Sequence, residues 1–423
     1  MEMSQIFAVT VFAIVMAIII SEKLHRAAVA LAGGILLILT GIIPFKEGIE
    51  AIDFNTLGIL LGMMLFVAVV KESGLFEYMA IKAAKFAKGD PWRIMVAFMI
   101  ITAVFSAFLD NVTTVLLVGP MTITICRILK TNPVPFLLTE ILSSNIGGTA
   151  TLIGDPPNIM IGSAANFRFI DFILVDAPIV IIIMAVVITL FRFVYGRKIS
   201  VTEEAKASVM DLNENSAVKD RVLFKKSLFM IVLVVLAFMF HGALGLESCE
   251  IALAAGIIMI LISGVDFEET VTNVEWPTLL FFIGLFVVVG AMESTGVISL
   301  FAQYVMEITG DHMIFTMFLI LWVSALLSSI LDNIPFVAAM IPLVSAMESG
   351  GMNVTPIWWA ISLGACLGGN GTLIGASANV VLSGISAKNG YPITFVQFLK
   401  IGIPIMLISI ALASVYLLLR FGI

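Results

Sequence analysis

Two aspartate–asparagine pairs stand in apolar surroundings, Asp110-Asn111 in FLDN and Asp332-Asn333 in ILDN. Two glycine-rich strings accompany them, GGTATLIGDPPN at 147–158 and GGNGTLIGASAN at 368–379. A carboxylate buried in a bilayer is costly and marks an ion or proton pathway. One that takes up a proton as it releases a cation, or gives up its proton as a solute enters, is the simplest coupling device. Gly147, Gly148, Gly154 and Pro156-Pro157 break a helix and free backbone groups that must find partners. Within a membrane such backbone persists only where it is buried in protein or lines a cavity. The candidate binding residues of the first half are therefore Asp110, Asn111, Asn145, Gly147, Gly148, Thr149, Thr151, Asp155 and Asn158. Those of the second are Asp332, Asn333, Gly368, Gly369, Asn370, Thr372 and Asn379. Sodium is the metal candidate, at Asp110, Asn111, Asp332 and Asn333.

The elements that position these residues must be membrane helices. The chain has 423 residues, 61% of them apolar and only 12% charged, with a mean hydropathy of +1.14. Soluble domains carry about 25% charged residues. The expectation is an all-α polytopic membrane protein, with the lipid bilayer as its first partner. No basic patch supports nucleic-acid binding. Cys126, Cys249 and Cys366 are too widely spaced for a disulfide framework or a zinc site. No cofactor is expected, no phosphate-binding GxxxxGK[ST] string occurs, and no catalytic set points to an enzyme. The first twenty or so residues lack a basic start and a small-residue cleavage site, and read as a membrane helix rather than a signal peptide.

Apolar stretches of about 20 residues suffice to span. They fall at 3–20, 27–43, 56–70, 170–191, 223–240, 251–263 (short), 278–292 and 401–419. Polar residues interrupt four others. Two read as re-entrant hairpins, at about 93–129 and 313–347, and two as broken helices, at about 135–165 and 356–385. The halves repeat. Thr56, Gly62, Gly74, Leu109, Asp110, Asn111 and Pro120 recur in order, at one fixed spacing, as Thr278, Gly284, Gly296, Leu331, Asp332, Asn333 and Pro342. A first repeat at 1–195, a hydrophilic linker at 196–222 and a second repeat at 223–423 follow from this. Each has five crossings, so the second is inverted. With both termini outside the cell membrane and the linker in the cytoplasm, only Lys46, Arg168 and Arg420 of the 22 lysines and arginines lie outside. That obeys the positive-inside rule. Lysines at 82, 85 and 88 predict an amphipathic helix on the cytoplasmic interface across 72–93.

Blander readings stand beside these. Asp110 and Asp332 can cap the second helix of each hairpin, Asn145 and Asn370 can serve as interhelical hydrogen-bond glue, and paired glycines can be packing faces. Matched interruptions in inverted halves nevertheless point to a transporter's solute site near the midplane.

The paired LDN hairpins, GGTATLIGDPPN and GACLGGNGTLIGASANVV (364–381) resemble the ion-transporter superfamily. Within it the chain is similar to the arsenite-permease branch, which also holds sodium–proton antiporters of the NhaD type and the melanosomal P protein. The resemblance implies about ten transmembrane helices in two inverted repeats, each with a hairpin and a broken helix. It implies elevator-like alternating access and a homodimer built on the scaffold helices. Related carboxylate carriers have Ser-Asn-Thr at the hairpin tips, where this sequence has Asp110-Asn111 and Asp332-Asn333. Two tip aspartates repel a carboxylate. The leading expectation is proton-coupled efflux of arsenite or antimonite, with a soluble ATPase as partner if it works as a pump. Sodium–proton antiport is the alternative, followed by anion or carboxylate permeation.

Overall fold

The structure, a computed structural model, describes residues 2–422 apart from 22, 197, 198 and 311. The first half runs α1 (Met3–Ser21), α2 (Arg26–Leu39), α3 (Phe45–Glu50), α4 (Phe54–Glu72) and α5 (Leu75–Phe86). It continues with α6 (Pro91–Phe108), α7 (Asn111–Ile128), α8 (Val134–Gly148), α9 (Pro156–Ala165) and α10 (Phe169–Tyr195). After α11 (Glu203–Met210) and a tight turn at Glu214–Ala217, the same succession returns. It comprises α12 (Arg221–Leu244), α13 (Ser248–Ser263), α14 (Phe267–Thr272), α15 (Trp276–Ser294) and α16 (Val297–Thr309). The last five are α17 (Met313–Ser328), α18 (Asn333–Ser349), α19 (Thr355–Gly368), α20 (Ser377–Lys388) and α21 (Phe395–Phe421). The polypeptide is thus an all-helical, multi-pass membrane protein of two inverted repeats.

Local chemistry sets the boundaries. Asp53 accepts hydrogen bonds from the amides of Asn55 and Thr56 and so starts α4, and Asp90 with Pro91 starts α6. Gly74 and Gly296 both sit at φ +75° and turn the chain from α4 into α5 and from α15 into α16. A Cβ at Gly74 would also meet the Ala217 carbonyl oxygen at 1.8 Å.

The halves interlock. Helix α4 packs along α13, and α15 along α2. Both contacts are backbone-close: a Cβ at Gly62 would lie 2.2 Å from the Ala252 carbonyl carbon, and one at Gly284 would lie 2.4 Å from that of Ala30. These crossed pairs, with α1 and α12, form a frame.

Inside the frame, α6 runs alongside α8 and α17 alongside α19. By length and apolarity α6 and α7 would each qualify as complete spans, at about 27 Å. Their joining tip at Asp110-Asn111 instead lies beside the tip at Asp332-Asn333, with Asp110, Asn111 and Asn333 lining one cavity. Hairpins entering from opposite sides whose tips meet are re-entrant; hairpin 1 is α6–α7 and hairpin 2 is α17–α18. Apolar residues such as Ile181, Phe193, Phe229 and Leu419 remain exposed on the outer helices, where lipid covers them.

The cytoplasmic-interface helix expected across 72–93 is shorter, and lipid is not its main partner. Helix α5 buries Leu75, Phe76, Ala80 and Ala84 against hairpin 1, and the linker covers it. Lys85 donates to the Leu212 carbonyl at 2.9 Å and to Glu214 Oε2 at 2.6 Å, and Lys219 donates to Glu72 at 3.2 Å. The Lys85 ammonium holds the Glu214 carboxyl below its ordinary range. Arg197 and Lys198 of the expected linker lie outside the described residues.

Candidate functional site

The two broken helices are built on the same plan. Helix α8 ends at Gly148 and α9 resumes at Pro156; α19 ends at Gly368 and α20 resumes at Ser377. Glycine is required at the ends because the hairpins lie so close. A Cβ at Gly147 would stand 2.2 Å from the Ala103 carbonyl oxygen, and one at Gly368 would stand 2.6 Å from that of Ala325. Gly148 and Gly369 face the far side of their own breaks, toward the Gly154 and Gly375 carbonyls at 2.7 and 3.2 Å from an added Cβ. Ser106 on α6 donates to the Ser144 carbonyl at 2.7 Å, and Ser328 on α17 to that of Ala365 at 2.6 Å. The hydroxyls of Thr151 and Thr372 donate to the carbonyls of Ala107 and Ser329, tying each break to its hairpin.

The carbonyls freed by the breaks do not point into open space. Asn158 Nδ2 donates to the carbonyls of Thr149 and Thr151 at 3.2 and 3.0 Å. Asn379 Nδ2 does the same for Gly369 and Thr372, at 2.8 and 2.9 Å. Thr149 turns its hydroxyl back to the Asn145 carbonyl at 2.7 Å. Asn145 joins the halves, its Nδ2 donating to Asn370 Oδ1 and to Asn379 Oδ1, both at 2.9 Å. Asn370 also donates to the Leu142 carbonyl at 3.5 Å. Most of the residues picked out by type thus hold the breaks together, satisfying buried backbone that would otherwise destabilise the fold.

The cavity itself is lined by fewer of them. Asp110, Asn111, Asp155 and Asn333 face it, joined by Arg26, Glu275, Thr278 and Ser377 and by the apolar Leu60, Met64, Val112 and Ile334. It offers about 20 Å³, room for a water or a bare ion in this conformation. Asp155 is fully buried, and both its oxygens accept from Asn333 Nδ2 at 3.2 Å. Asn111 Nδ2 donates to Asn145 Oδ1 at 3.4 Å.

Both tip aspartates cap helices, and their surroundings differ. Asp110 accepts from the Thr113 amide at 2.8 Å and starts α7. Asp332 accepts from the Ile334 amide at 3.1 Å and starts α18. Asp332 also accepts from Arg26 Nη1 at 3.2 Å and from Ser377 Oγ at 2.7 Å, and Arg26 reaches Ser377 Oγ at 2.6 Å. Among the described residues no arginine pairs with Asp110 as Arg26 does with Asp332: by the repeat spacing, the counterpart of Arg26 is the neutral Ser248. A vestibule of about 300 Å³ opens onto Arg26, Asp332 and Ser377 between the α1–α2 connection, hairpin 2 and α20.

Sequence reasoning missed Arg26, Glu275 and Ser377 at the cavity, and the buried carboxyls Asp176 and Glu140 behind it. The signal for the last two was present, a carboxylate inside an apolar run, alone at Glu140 and accompanied by Asp171 at Asp176. Glu140 bonds Thr122 of α7. Arg26 and Glu275 sit at helix starts, where charges are unremarkable. Among the described residues no cluster of histidine, cysteine and carboxylate side chains has the makings of a metal centre.

Comparison with known proteins adds the following. The sequence profile of the family described as citrate transporter (CitMHS) matches residues 16–364. An uncharacterized transporter of Mycobacterium tuberculosis is 43% identical over 98% of each chain. The human P protein is 33% identical over 97% of this chain and 59% of its own length. The crystal structure of the Alcanivorax borkumensis YdaH transporter, reported to have an unusual topology, covers 100% of this chain and 99% of its own with a TM-score of 0.61. At 14% identity that likeness concerns the fold.

Proposed function

The chain belongs to the citrate transporter (CitMHS) family of the ion-transporter superfamily, and from that premise we propose a proton-coupled secondary transporter that takes a small cation at the meeting point of its hairpin tips. The observation that carries this is the acid lining of the cavity. Asp110, Asp155 and Glu275 all face it, while the one lysine or arginine among its lining residues, Arg26, is engaged by Asp332. Three carboxylates lining one small cavity, without converging on a single point, make it favourable to a cation and oppose a free anion.

Alternating access of the elevator kind is part of the proposal, with the hairpins and broken helices moving against the frame. The asymmetry of the repeats supports it. Helix α9 lies against α4 and α18 against α15, while their counterparts, α20 with α15 and α7 with α4, make no comparable contact. Exchanging the two repeat conformations would open the site on the other side. The excess of lysine and arginine near the linker supports a cytoplasmic linker and external termini.

One observation favours a second reading: the family's description names citrate. Citrate would need accompanying cations or protons to enter this cavity. Arsenous acid is neutral and would escape repulsion, but the only thiol near a break, Cys366, is turned to Asn158 Oδ1 at 3.4 Å. The test is purified protein in liposomes with an imposed pH gradient and a lumenal pH dye. Sodium or lithium should collapse the gradient. A response to citrate alone, or to arsenite alone, would overturn the cation reading.

A further inference from the structure

Asp176, about two turns into α10, is fully buried and takes no part in the cavity. Its Oδ2 lies 2.7 Å from Ser362 Oγ on α19, and the same Oγ lies 2.8 Å from Asn158 Oδ1 on α9. The other carboxyl oxygen of Asp176 has no hydrogen-bond partner. The Asn158 orientation is fixed by its far end, where Nδ2 donates to two carbonyls of the first break. Ser362 therefore faces two acceptors with one proton. If Asp176 is ionised, one contact has no hydrogen, and a charge is buried with no cation against it. If Asp176 carries a proton, its Oδ2–H donates to Ser362 Oγ, and Ser362 donates to Asn158. Both contacts are then made.

The other groups near Asp176 do not change that count. Tyr416 on α21 donates to the Val175 carbonyl at 2.6 Å, and Arg420 donates to the Tyr416 hydroxyl at 2.9 Å; the guanidinium acts on Asp176 through its charge and supplies no hydrogen to it. Cys366 on α19 donates to Asn158 Oδ1 at 3.4 Å and interacts with both Asp155 and Asp176, but supplies no hydrogen between Ser362 and its two short contacts. Glu140 on α8 is bonded to Thr122, His241 on α12 to the Leu246 carbonyl, and Asp171 on α10 itself to Arg168.

We propose that Asp176 is a proton-binding site of this carrier, set apart from the solute cavity and linked to it through Ser362 and Asn158. Releasing the proton breaks one O–H bond at Asp176 Oδ2, and the proton leaves to water admitted as the first break opens. Ser362 then turns its own hydrogen to the carboxylate, and Asn158 Oδ1 exchanges the hydroxyl at 2.8 Å for the weaker Cys366 thiol at 3.4 Å. The amide that holds the Thr149 and Thr151 carbonyls beside Asp155 is thereby loosened. Proton occupancy at Asp176 and the shape of the first break are linked, and linkage is reciprocal. The role in transport rests on the proton-coupled reading above; the protonation rests on the hydrogen count alone.

The deciding experiment is infrared difference spectroscopy of purified protein at neutral pH, wild type minus Asp176→Asn. Asparagine can donate to Ser362 as the protonated acid does, so the variant should fold. The expected result is the loss of one protonated-carboxyl carbonyl band. Loss of a carboxylate band instead would overturn the proposal. Should the Asp176→Asn protein not be extractable, Ser362→Ala serves, since removing the hydroxyl must shift that carbonyl band, and an unshifted band refutes the contact. Hydrogen exchange of residues 149–155 should speed up with pH beyond the chemical rate in wild type, but not in Asp176→Asn. If the liposomes respond to no solute while the band is lost as expected, the transport reading fails and the proton site stands.

Discussion

Arg26→Gln tests whether the frame holds hairpin 2 electrostatically. Arg26 opens α2 in the frame, its guanidinium lies 5.2 Å from the centre of the Phe281 ring on α15, and Nη1 reaches Asp332 Oδ2 at 3.2 Å. Coulomb attraction at that distance is about 5 kcal/mol in an effective dielectric of about 20. The side chains are 30% and 16% exposed, so solvent screening and the desolvation cost reduce the net to about 1–2 kcal/mol. Each 1.4 kcal/mol is about tenfold in an equilibrium. Arg26→Gln should therefore raise the population in which the hairpin 2 tip has left the frame by roughly tenfold. Hydrogen–deuterium exchange across 330–335 in reconstituted protein reads this directly, with Arg26→Lys expected to fall between. Unchanged exchange in a variant with an unchanged melting temperature would refute the idea that Arg26 holds the tip.

Three further expectations follow from the site and its supports. Asp110→Asn, Asp155→Asn and Asp332→Asn should each abolish proton-coupled flux while leaving extractable protein; normal flux in all three would end the carboxylate-coupling idea. Gly147→Ala and Gly368→Ala drive a methyl to 2.2 and 2.6 Å from a hairpin carbonyl oxygen and should cost about 1–3 kcal/mol or more. Gly384→Ala on α20 meets nothing within 4 Å and should not destabilise, which thermal melts of all three would check. On the linker, Lys85 lowers the Glu214 carboxyl, so its contribution is complete above the free carboxylate range and is lost as pH falls through the lowered value. Limited proteolysis of 203–217 should accordingly accelerate at acid pH in wild type, and Glu214→Gln should show the fast rate throughout.

What could be read in the sequence was what local punctuation writes. Gly147-Gly148, Pro156-Pro157 and their second-half counterparts mark the breaks because backbone that cannot stay helical is a local property, and the matched spacing carried the repeat. Asp110 and Asp332 were legible both as caps and as site residues, and each caps a helix. The use of the freed carbonyls was not legible. Asn158 and Asn379 were visible as polar residues, but only the folded break reveals that each spends its amide on its own loop. Arg26 and Asp332 are 306 positions apart, and no spacing rule joins a helix start to a distant hairpin tip. Asp176 was absorbed into an apolar run because one charge barely lowers the average of a 27-residue helix. The hydrophilic stretch was legible as a linker between the halves, whereas Lys85 and Gly74 show that it is seated on α5.

The crossed pairing of α2 with α15 and of α4 with α13 also bears on how the chain is made. When α2 and α4 enter the bilayer, the helices they need are not yet synthesised. Roughly 240 residues separate α2 from α15, which at about 5–20 residues per second is a wait of roughly 10–50 s. Throughout it, Gly33, Gly34 and Gly62 present bare backbone grooves to lipid or to the insertion machinery. Half a chain is therefore an unfinished surface rather than a small protein. Two halves expressed as separate polypeptides should be degraded singly and rescued together.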